Sequence, residues 1–391
     1  MVNAERDDTI TVQSRLLDFA ERESANIVDE LRKKPWTLGE YNKQTWGVRL
    51  HSIGPYVGRM KPSLAHWLVR ICSKPGHFVL DPFCGIGTVP LEADLLKRHA
   101  LGVELNPYGL IISKAKFDRR PLAEHVEWLR KTKLDLNAVN VDSIPESIRQ
   151  FYHEKTLKEL FALKRKIEEE SRIFLLGCLL GISHGHRPQH LSSVTGYIVP
   201  YKRAKYKPEY KPVVPKMIQK VRRMYSSGFP KETSAEIVKA DARLLPLTDE
   251  SIDAVISSPP YYSTIDYVDS NRLRLQLLGL DDEQKTLKEE LIQHERTYLQ
   301  EMKKVGIELR RVLKPDALCV FVLGDFPKNK ITVNTAEEIS RIFSDLGFST
   351  LGTVADEIPI TKRTVVKWVG GDALKSYPKK FDRILVLRIK K

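Results

Sequence analysis

Cysteine is scarce: Cys72, Cys84, Cys178 and Cys319 stand far apart, and no CxxC pair joins any two of them. That pattern argues against a zinc ribbon or a dithiol redox site and leaves reduced thiols as the expectation. Long apolar runs are also missing. The longest, at 173–182 and 317–323, fall well short of the roughly 20 residues that cross a bilayer, so no membrane span is expected. The opening residues, MVNAERDDTITVQ, lack the apolar stretch of a secretory signal and are too acidic for a transit peptide, which points to the cytoplasm. There is no internal repeat and no low-complexity tract. What is present is an ordinary globular composition, 42% hydrophobic and 29% charged, over 391 residues. That length exceeds what one compact core usually organises and favours a large catalytic domain with an insertion, or two domains.

Lys and Arg number 64 against 50 Asp and Glu, a net charge of +14 that favours a polyanionic partner. The excess is uneven: +4 over residues 1–120, +9 over 121–235 and +1 over 236–391. The middle third carries most of it.

Short apolar runs read as strands at 77–83, 100–105, 236–241, 253–258, 317–323, 349–354 and 383–389, most of them separated by amphipathic stretches of helix length. This alternation predicts an α/β fold, a parallel sheet covered by helices on both faces, with ligands at the C-terminal strand edge. The alternation lapses between about 120 and 235, where helices give way to a basic loop bearing Pro and Tyr. The expected organisation is a charged helical extension over 1–50, a first part of the α/β domain over 51–119, a helical and basic insertion over 120–235, and the second part over 236–391.

The strongest local signal is FVLDPFCGIGTVPLEA at 78–93, an apolar strand, a turn containing Gly85 and Gly87, and a helical run. Glycines allow a sharp turn and close approach to a ligand, and the helix start offers N–H groups. Alone, such a turn is equally a tight strand-to-helix connection. Other features align with it. A second strand ends in Glu104, where nucleotide folds use a carboxylate to hold ribose hydroxyls. Asp241 closes a third strand and is placed to accept a hydrogen bond from an adenine amino group. The fourth strand ends in SSPPYY at 257–262.

With these motifs in order, the chain resembles the S-adenosylmethionine-dependent amino-methyltransferases of the DNA methylase N4/N6 family, which includes RNA-modifying relatives. The resemblance covers roughly 51–117 and 236–326. It implies a Rossmann-like class I methyltransferase fold, with a doubly wound, mostly parallel seven-stranded sheet. Tyr56, within a segment resembling the one beside the methionine end of the cofactor, and Asp81, Pro82, Phe83, Gly85, Gly87 and Thr88 of the DPFCGIGT motif are implied as cofactor-binding residues, together with Glu104 and Asp241. Ser258, Pro259, Pro260 and Tyr261 resemble the catalytic tetrapeptide, and Ser in its first position is more typical of cytosine N4 enzymes than of adenine N6 enzymes.

The chemistry gives those residues a reason. The N4 lone pair of cytosine is delocalised into the ring, so the amine needs acceptors that favour a pyramidal nitrogen. Ser258 and the Pro259 carbonyl can serve, the two prolines stiffen the backbone, and Tyr261 can stack on an extruded base. Attack on the sulfonium methyl then requires positioning and electrostatics, with no covalent enzyme intermediate. The bland alternative is a Pro-rich loop with Ser258 as a turn residue. A cytosine C5 enzyme would need a thiolate, typically in a Pro-Cys pair, and no Pro-Cys occurs.

The stretch at 198–231 holds ten Lys or Arg against one acid, Glu209, with Tyr201, Tyr206, Tyr210 and Tyr225 interleaved. Cations suit phosphates and aromatic faces suit unstacked bases, so Tyr201, Lys202, Arg203, Lys205, Tyr206 and Lys207 are expected to contact nucleic acid; a solvated charged surface is the alternative. His184, His186 and His190 lie just before it without an accompanying Cys or acid pattern, and no metal is expected. Arg272 and Arg274, after the tetrapeptide, suit phosphates beside the flipped base or a salt-bridged helix surface. Asp266 and Tyr267 are placed to order the tetrapeptide. The function expected is methyl transfer to the cytosine N4 amine in DNA or structured RNA, with adenine N6 transfer, or a catalytically idle nucleic-acid binder, as alternatives.

Overall fold

The computed structural model describes residues 26–43, 46–185, 189–193, 207–230, 232–261, 266–328, 331–357 and 381–391. Its centre is a seven-stranded sheet. The strands are β1 (Phe78–Asp81), β2 (His99–Val103), β3 (Ala235–Val238), β4 (Ile252–Ser257), β5 (Leu313–Gly324), β8 (Phe348–Glu357) and β9 (Phe381–Ile389), in the order β3-β2-β1-β4-β5-β9-β8. Pairing is parallel from β3 to β5, and β9 runs antiparallel between β5 and β8. Each strand read from the sequence is present. A two-stranded hairpin, β6 (Phe326–Lys328) with β7 (Ile331–Val333), was not foreseen, because three-residue strands are too short to show a period.

The strands are apolar almost throughout because both faces of the sheet are covered. Side chains alternate between them. Leu80, Val255, Cys319 and Phe321 join one buried cluster, with Tyr298, Met302 and Val305 of the helix Tyr298–Val312. Val79, Ile256, Val320 and Val322 join the opposite cluster, with Leu64, Leu68 and Val69 of α1 (Pro62–Cys72) and Val89 and Ala93 of α2 (Thr88–Leu95). Trp36 and Val28 belong to that second cluster, and the Trp36 indole N–H donates to Asp356 Oδ2 of β8 at 2.8 Å, so residues 26–37 cover the sheet near its far edge.

The crossover from β2 to β3 contains α3 (Pro107–Ala115) and four longer helices, α4 (Leu122–Lys131), α5 (Glu154–Glu169), α6 (Ile173–Ser183) and α7 (Val213–Tyr225). α6 is apolar on all sides and accordingly buried from Phe174 to Ser183. It approaches so closely that a Cβ at Gly181 would lie 1.9 Å from the Ile53 carbonyl oxygen. These helices therefore share a core with α3, through Tyr108, Ile112 and Ala115. Among the described residues, no helix is long and apolar enough to cross a membrane.

Candidate active site

Four strands deliver four polar residues to one edge. Asp81 is the last residue of β1, Glu104 follows β2, Asp241 lies three residues beyond β3, and Ser258 follows β4. Since the lateral order is β3-β2-β1-β4, they form a row running Asp241, Glu104, Asp81, Ser258. Adjacent strands are about 4.8 Å apart, so the row extends about 14 Å. All four line a single cleft of about 860 Å³, its open mouth included, with Tyr56, Arg59, Pro82, Phe83, Gly85 and Thr88.

The floor is built by the turn after β1. Gly87 has φ 70° and caps α2, in a left-handed conformation that side chains rarely adopt. A Cβ there would also meet Ser113 Oγ of α3 at 2.3 Å. Lys116, fully buried, donates to the Gly87 carbonyl at 3.2 Å, and burial pushes its ammonium pKa down to about 7. Asn106 caps α3 by accepting from the Tyr108 N–H at 3.0 Å, and its own N–H donates to Glu104 Oε1 at 2.7 Å. The cap thus orients the carboxylate.

Asp81 and Glu104 are 3% and 8% exposed. Burial raises the Asp81 pKa to about 7 against the bonds from Ser257 and the Phe83 N–H. Burial likewise raises Glu104 to about 7, opposed by backbone N–H donors and reinforced by the charge of Asp81. Asp241 differs. Burial pushes it up, but the Arg243 guanidinium more than compensates, and the carboxyl sits below its ordinary range. Arg243 grips both Asp241 oxygens, with Nε at 2.9 and 3.0 Å, and also pairs with Glu301 at 2.6 Å. Arg243 therefore engages both oxygens of this cleft-lining carboxylate.

Ser258 donates to the Val322 carbonyl of β5 at 3.1 Å, which leaves its oxygen lone pairs as acceptors. Tyr261 packs its ring on Gly324, where a Cβ would lie 3.5 Å from three ring carbons, and its hydroxyl donates to Asp382 at 3.1 Å. The Tyr261 N–H reaches the Tyr267 hydroxyl at 3.4 Å, so Tyr267 does touch the tetrapeptide. Tyr267 also stacks on Tyr56, with centroids 5.9 Å apart. Asp266 instead accepts from the N–H groups of Val268 and Asp269 and pairs with Lys288, ordering its own turn. Cys84 lines the cleft with its thiol pushed far up by burial, then by Glu104 and Asp81, so it offers no thiolate.

The insertion requires corrections. Tyr201, Lys202, Arg203, Lys205 and Tyr206 lie outside the described residues, as does His186. Lys207 is exposed. Several other members of the stretch are turned inward. Lys220 is 4% exposed and donates to the Ser52 carbonyl at 2.6 Å, and Lys211 binds the carbonyls of His190 and Ser192. Tyr210 stays exposed although its hydroxyl donates to Glu159 at 2.7 Å, while Tyr225 stacks on Phe229 at 4.1 Å. The stripe Val213, Met217, Lys220, Val221, Met224 explains the burial of Lys220: it falls on the apolar face of α7. Arg274 is neither a phosphate contact nor a surface residue. It is 2% exposed, donates to the His184 carbonyl at 2.7 Å and lies over the Tyr108 ring. Arg272 opens the same short helix and is partly buried. Arg59, a cleft-lining cation that donates to the His51 carbonyl at 2.6 Å, was overlooked, although it lies three residues after Tyr56.

The strand order and the single antiparallel strand define a Rossmann-like methyltransferase fold. Residues 12–115, a segment that carries the turn after β1 and Glu104, match the DNA methylase family. It is 24% identical over 133 residues to the type II methyltransferase M.MjaII of Methanocaldococcus jannaschii, covering 31% of this chain and 25% of that one. To the type II methyltransferase M.Cfr9I of Citrobacter freundii it is 34% identical over 84 residues, 20% of this chain and 27% of the relative. The chain thus spans about a quarter of the length of these curated relatives. A solved structure, that of TrmN from Thermus thermophilus, aligns with a TM-score of 0.36 at 12% identity, covering 87% of this chain and 52% of that one.

The residues present fit S-adenosylmethionine, the cofactor that the family match supports. Two buried carboxyls, Asp81 and Glu104, line the cleft as acceptors suited to the ammonium and hydroxyl donors of such a ligand, and Arg59 lines it as a cation suited to a carboxylate.

Proposed function

We propose that this protein is an S-adenosylmethionine-dependent methyltransferase acting on the exocyclic N4 amine of cytosine in DNA or structured RNA. The observation that carries the proposal is the row Asp241, Glu104, Asp81, Ser258 along one sheet edge. An extended nucleoside–amino acid ligand laid along it puts adenine near Asp241, ribose at Glu104 and the methionine moiety near Asp81 and Tyr56. The reacting end then faces Ser258. The cofactor supplies an electrophilic methyl group. The chain's part is to hold the amine. Ser258 is fixed by Val322 with its oxygen still able to accept, and the Pro259 carbonyl is held by the stiff Pro-Pro backbone, so both suit the hydrogens of an sp²-like nitrogen being drawn toward sp³. The buried, protonated Cys84 thiol supports direct attack over a covalent C5 route. The excess positive charge of residues 121–235, including exposed Lys207, Arg222 and Arg223, supports a nucleic-acid substrate.

The test is incubation with methyl-labelled S-adenosylmethionine and either DNA or ribosomal RNA, followed by nucleoside mass spectrometry. Labelled N4-methylcytosine is expected. Labelled N6-methyladenine would move the substrate to adenine, and normal cofactor binding without any labelled nucleoside would leave only a nucleic-acid binder.

A further inference from the structure

When the amine nitrogen forms its bond to the transferred methyl, the S–C bond breaks, the electron pair leaves with sulfur, and the nitrogen becomes cationic. One N–H proton must then depart. Neither acceptor of the tetrapeptide can keep it, because a serine hydroxyl and an amide carbonyl are too weakly basic.

The structure holds a route. The Ser258 hydroxyl donates to the Val322 carbonyl and neighbours the Tyr261 phenol, toward which its hydrogen turns by rotation about the Cβ–Oγ bond; that phenol donates to Asp382 Oδ1 at 3.1 Å. Asp382 pairs with Gly324 in the β5–β9 register, and the Tyr261 ring rests on Gly324, so the same two strands fix both ends of the contact. Two other acids stand at this edge, and each is already engaged. Asp325 is bound at both oxygens by Arg383, at 2.5 and 2.9 Å. Asp356 accepts from Trp36 at 2.8 Å and lies 3.6 Å from Lys34. Among the described residues Asp382 has no cationic partner. Facing it are Tyr261 from the loop after β4, Asp356 from β8 and Asp325 after β5, with Arg383 next to it in the chain turned to Asp325.

We infer that Asp382 is a positioning residue that receives the departing amine proton through Ser258 and Tyr261. The amine proton passes to Ser258 Oγ, the Ser258 proton to Tyr261 Oη and the Tyr261 proton to Asp382, so each hydroxyl ends as it began and only the carboxylate is newly protonated. Burial, reinforced by Asp356 and Asp325, lifts Asp382 to about 6, above an ordinary aspartate, as suits an acceptor working near neutrality. This inference rests on the function proposed above.

The experiment compares the parent with D382N, which keeps the shape and an acceptor oxygen but is not a base, and with Y261F, which keeps the ring but breaks the chain. Single-turnover methyl transfer is measured against pH, and base capture is followed separately, without cofactor, by 2-aminopurine fluorescence at the target position. The expectation is a parental rate that climbs to a plateau through about pH 6, a loss of at least about 10-fold in either variant, no further loss in the double variant, and base capture unchanged. In D382A, added formate should restore part of the rate, whereas D382A/Y261F should not respond. D382N at the parental rate and pH profile, or a loss residing wholly in base capture, overturns the relay. A parent that labels no nucleic acid removes the proposed function and the relay together, and is recognised because the parent itself fails.

Discussion

The Ser257 hydroxyl donates to Asp81 Oδ1 at 2.5 Å, tying the end of β4 to the end of β1 beneath the cleft. One side chain thereby joins the residue preceding the tetrapeptide to the acid of the cofactor turn. Replacing Ser257 by Ala leaves the buried Asp81 without a donor that favours its ionised form. The Asp81 pKa should rise further, and stability should fall by about 1–2 kcal/mol, read as a lower midpoint in urea.

Asp81 and Glu104 give the apo protein a specific pH dependence. Both have folded-state pKa values of about 7, raised from the ordinary carboxylate range. Between about pH 4 and about pH 7 the folded state therefore holds protons that the unfolded chain releases, and stability should fall as pH rises through that window. Cofactor binding should act in the opposite direction, because ribose hydroxyls donate best to the charged carboxylate. The thermal shift produced by S-adenosylmethionine should grow from about pH 6 to about pH 8, with proton release on binding detectable by calorimetry in buffers of different ionisation enthalpy. Glu104→Ala should weaken cofactor binding by about 1–3 kcal/mol and abolish much of that pH trend. Unchanged affinity would remove Glu104 from the site.

The basic insertion separates into two kinds of cation, and the difference is measurable. Replacing Lys202, Arg203, Lys205 and Lys207 by Ala should weaken nucleic-acid binding and flatten its salt dependence, with cofactor affinity intact. Lys220→Ala should behave differently: its ammonium is buried against the Ser52 carbonyl, so the expected loss is in thermal stability, with the salt slope unchanged. An unchanged slope in the first variant would locate the nucleic-acid contact elsewhere.

The sheet was legible because strands buried on both faces must be apolar along their whole length, and the residues that end them must be polar to face the cleft. That is why Glu104 and Asp241 could be singled out as strand-end acids, whereas Ser258 was picked out by the resemblance of its tetrapeptide. The side-chain pairings could not. Tyr261 and Asp382 are 121 residues apart and meet only because β9 inserts antiparallel beside β5. Charge composition misled for a related reason: Lys211, Lys220, Tyr210 and Tyr225 have the residue types of a nucleic-acid clamp, yet each spends its polar group or ring on the protein's own fold. The helical period of α7 already placed Lys220 on an apolar face, a signal that a count of charges does not register. Arg243, two residues from Asp241, was not singled out in the sequence, and its grip on that acid emerges only in the structure.

The tetrapeptide predicts three variants with three different outcomes. Ser258→Ala removes one acceptor but leaves the Pro259 carbonyl and the Tyr261 ring, so methyl transfer should slow by roughly 10- to 1000-fold with substrate binding retained. Tyr261→Ala removes the ring that covers Gly324 and, under the proposed function, the face on which an extruded base would stack. Capture of the target should weaken by about 1–3 kcal/mol, and turnover should fall with it. Cys84→Ala should retain transfer, because its thiol is held protonated by burial and by the neighbouring Glu104 and Asp81, and direct attack by the amine calls for no thiolate. Single-turnover rates, binding constants and a gel assay for a covalent protein–cytosine adduct separate the three. Loss of all transfer in Cys84→Ala with normal binding, together with an adduct in the parent, would replace amine attack with C5 chemistry.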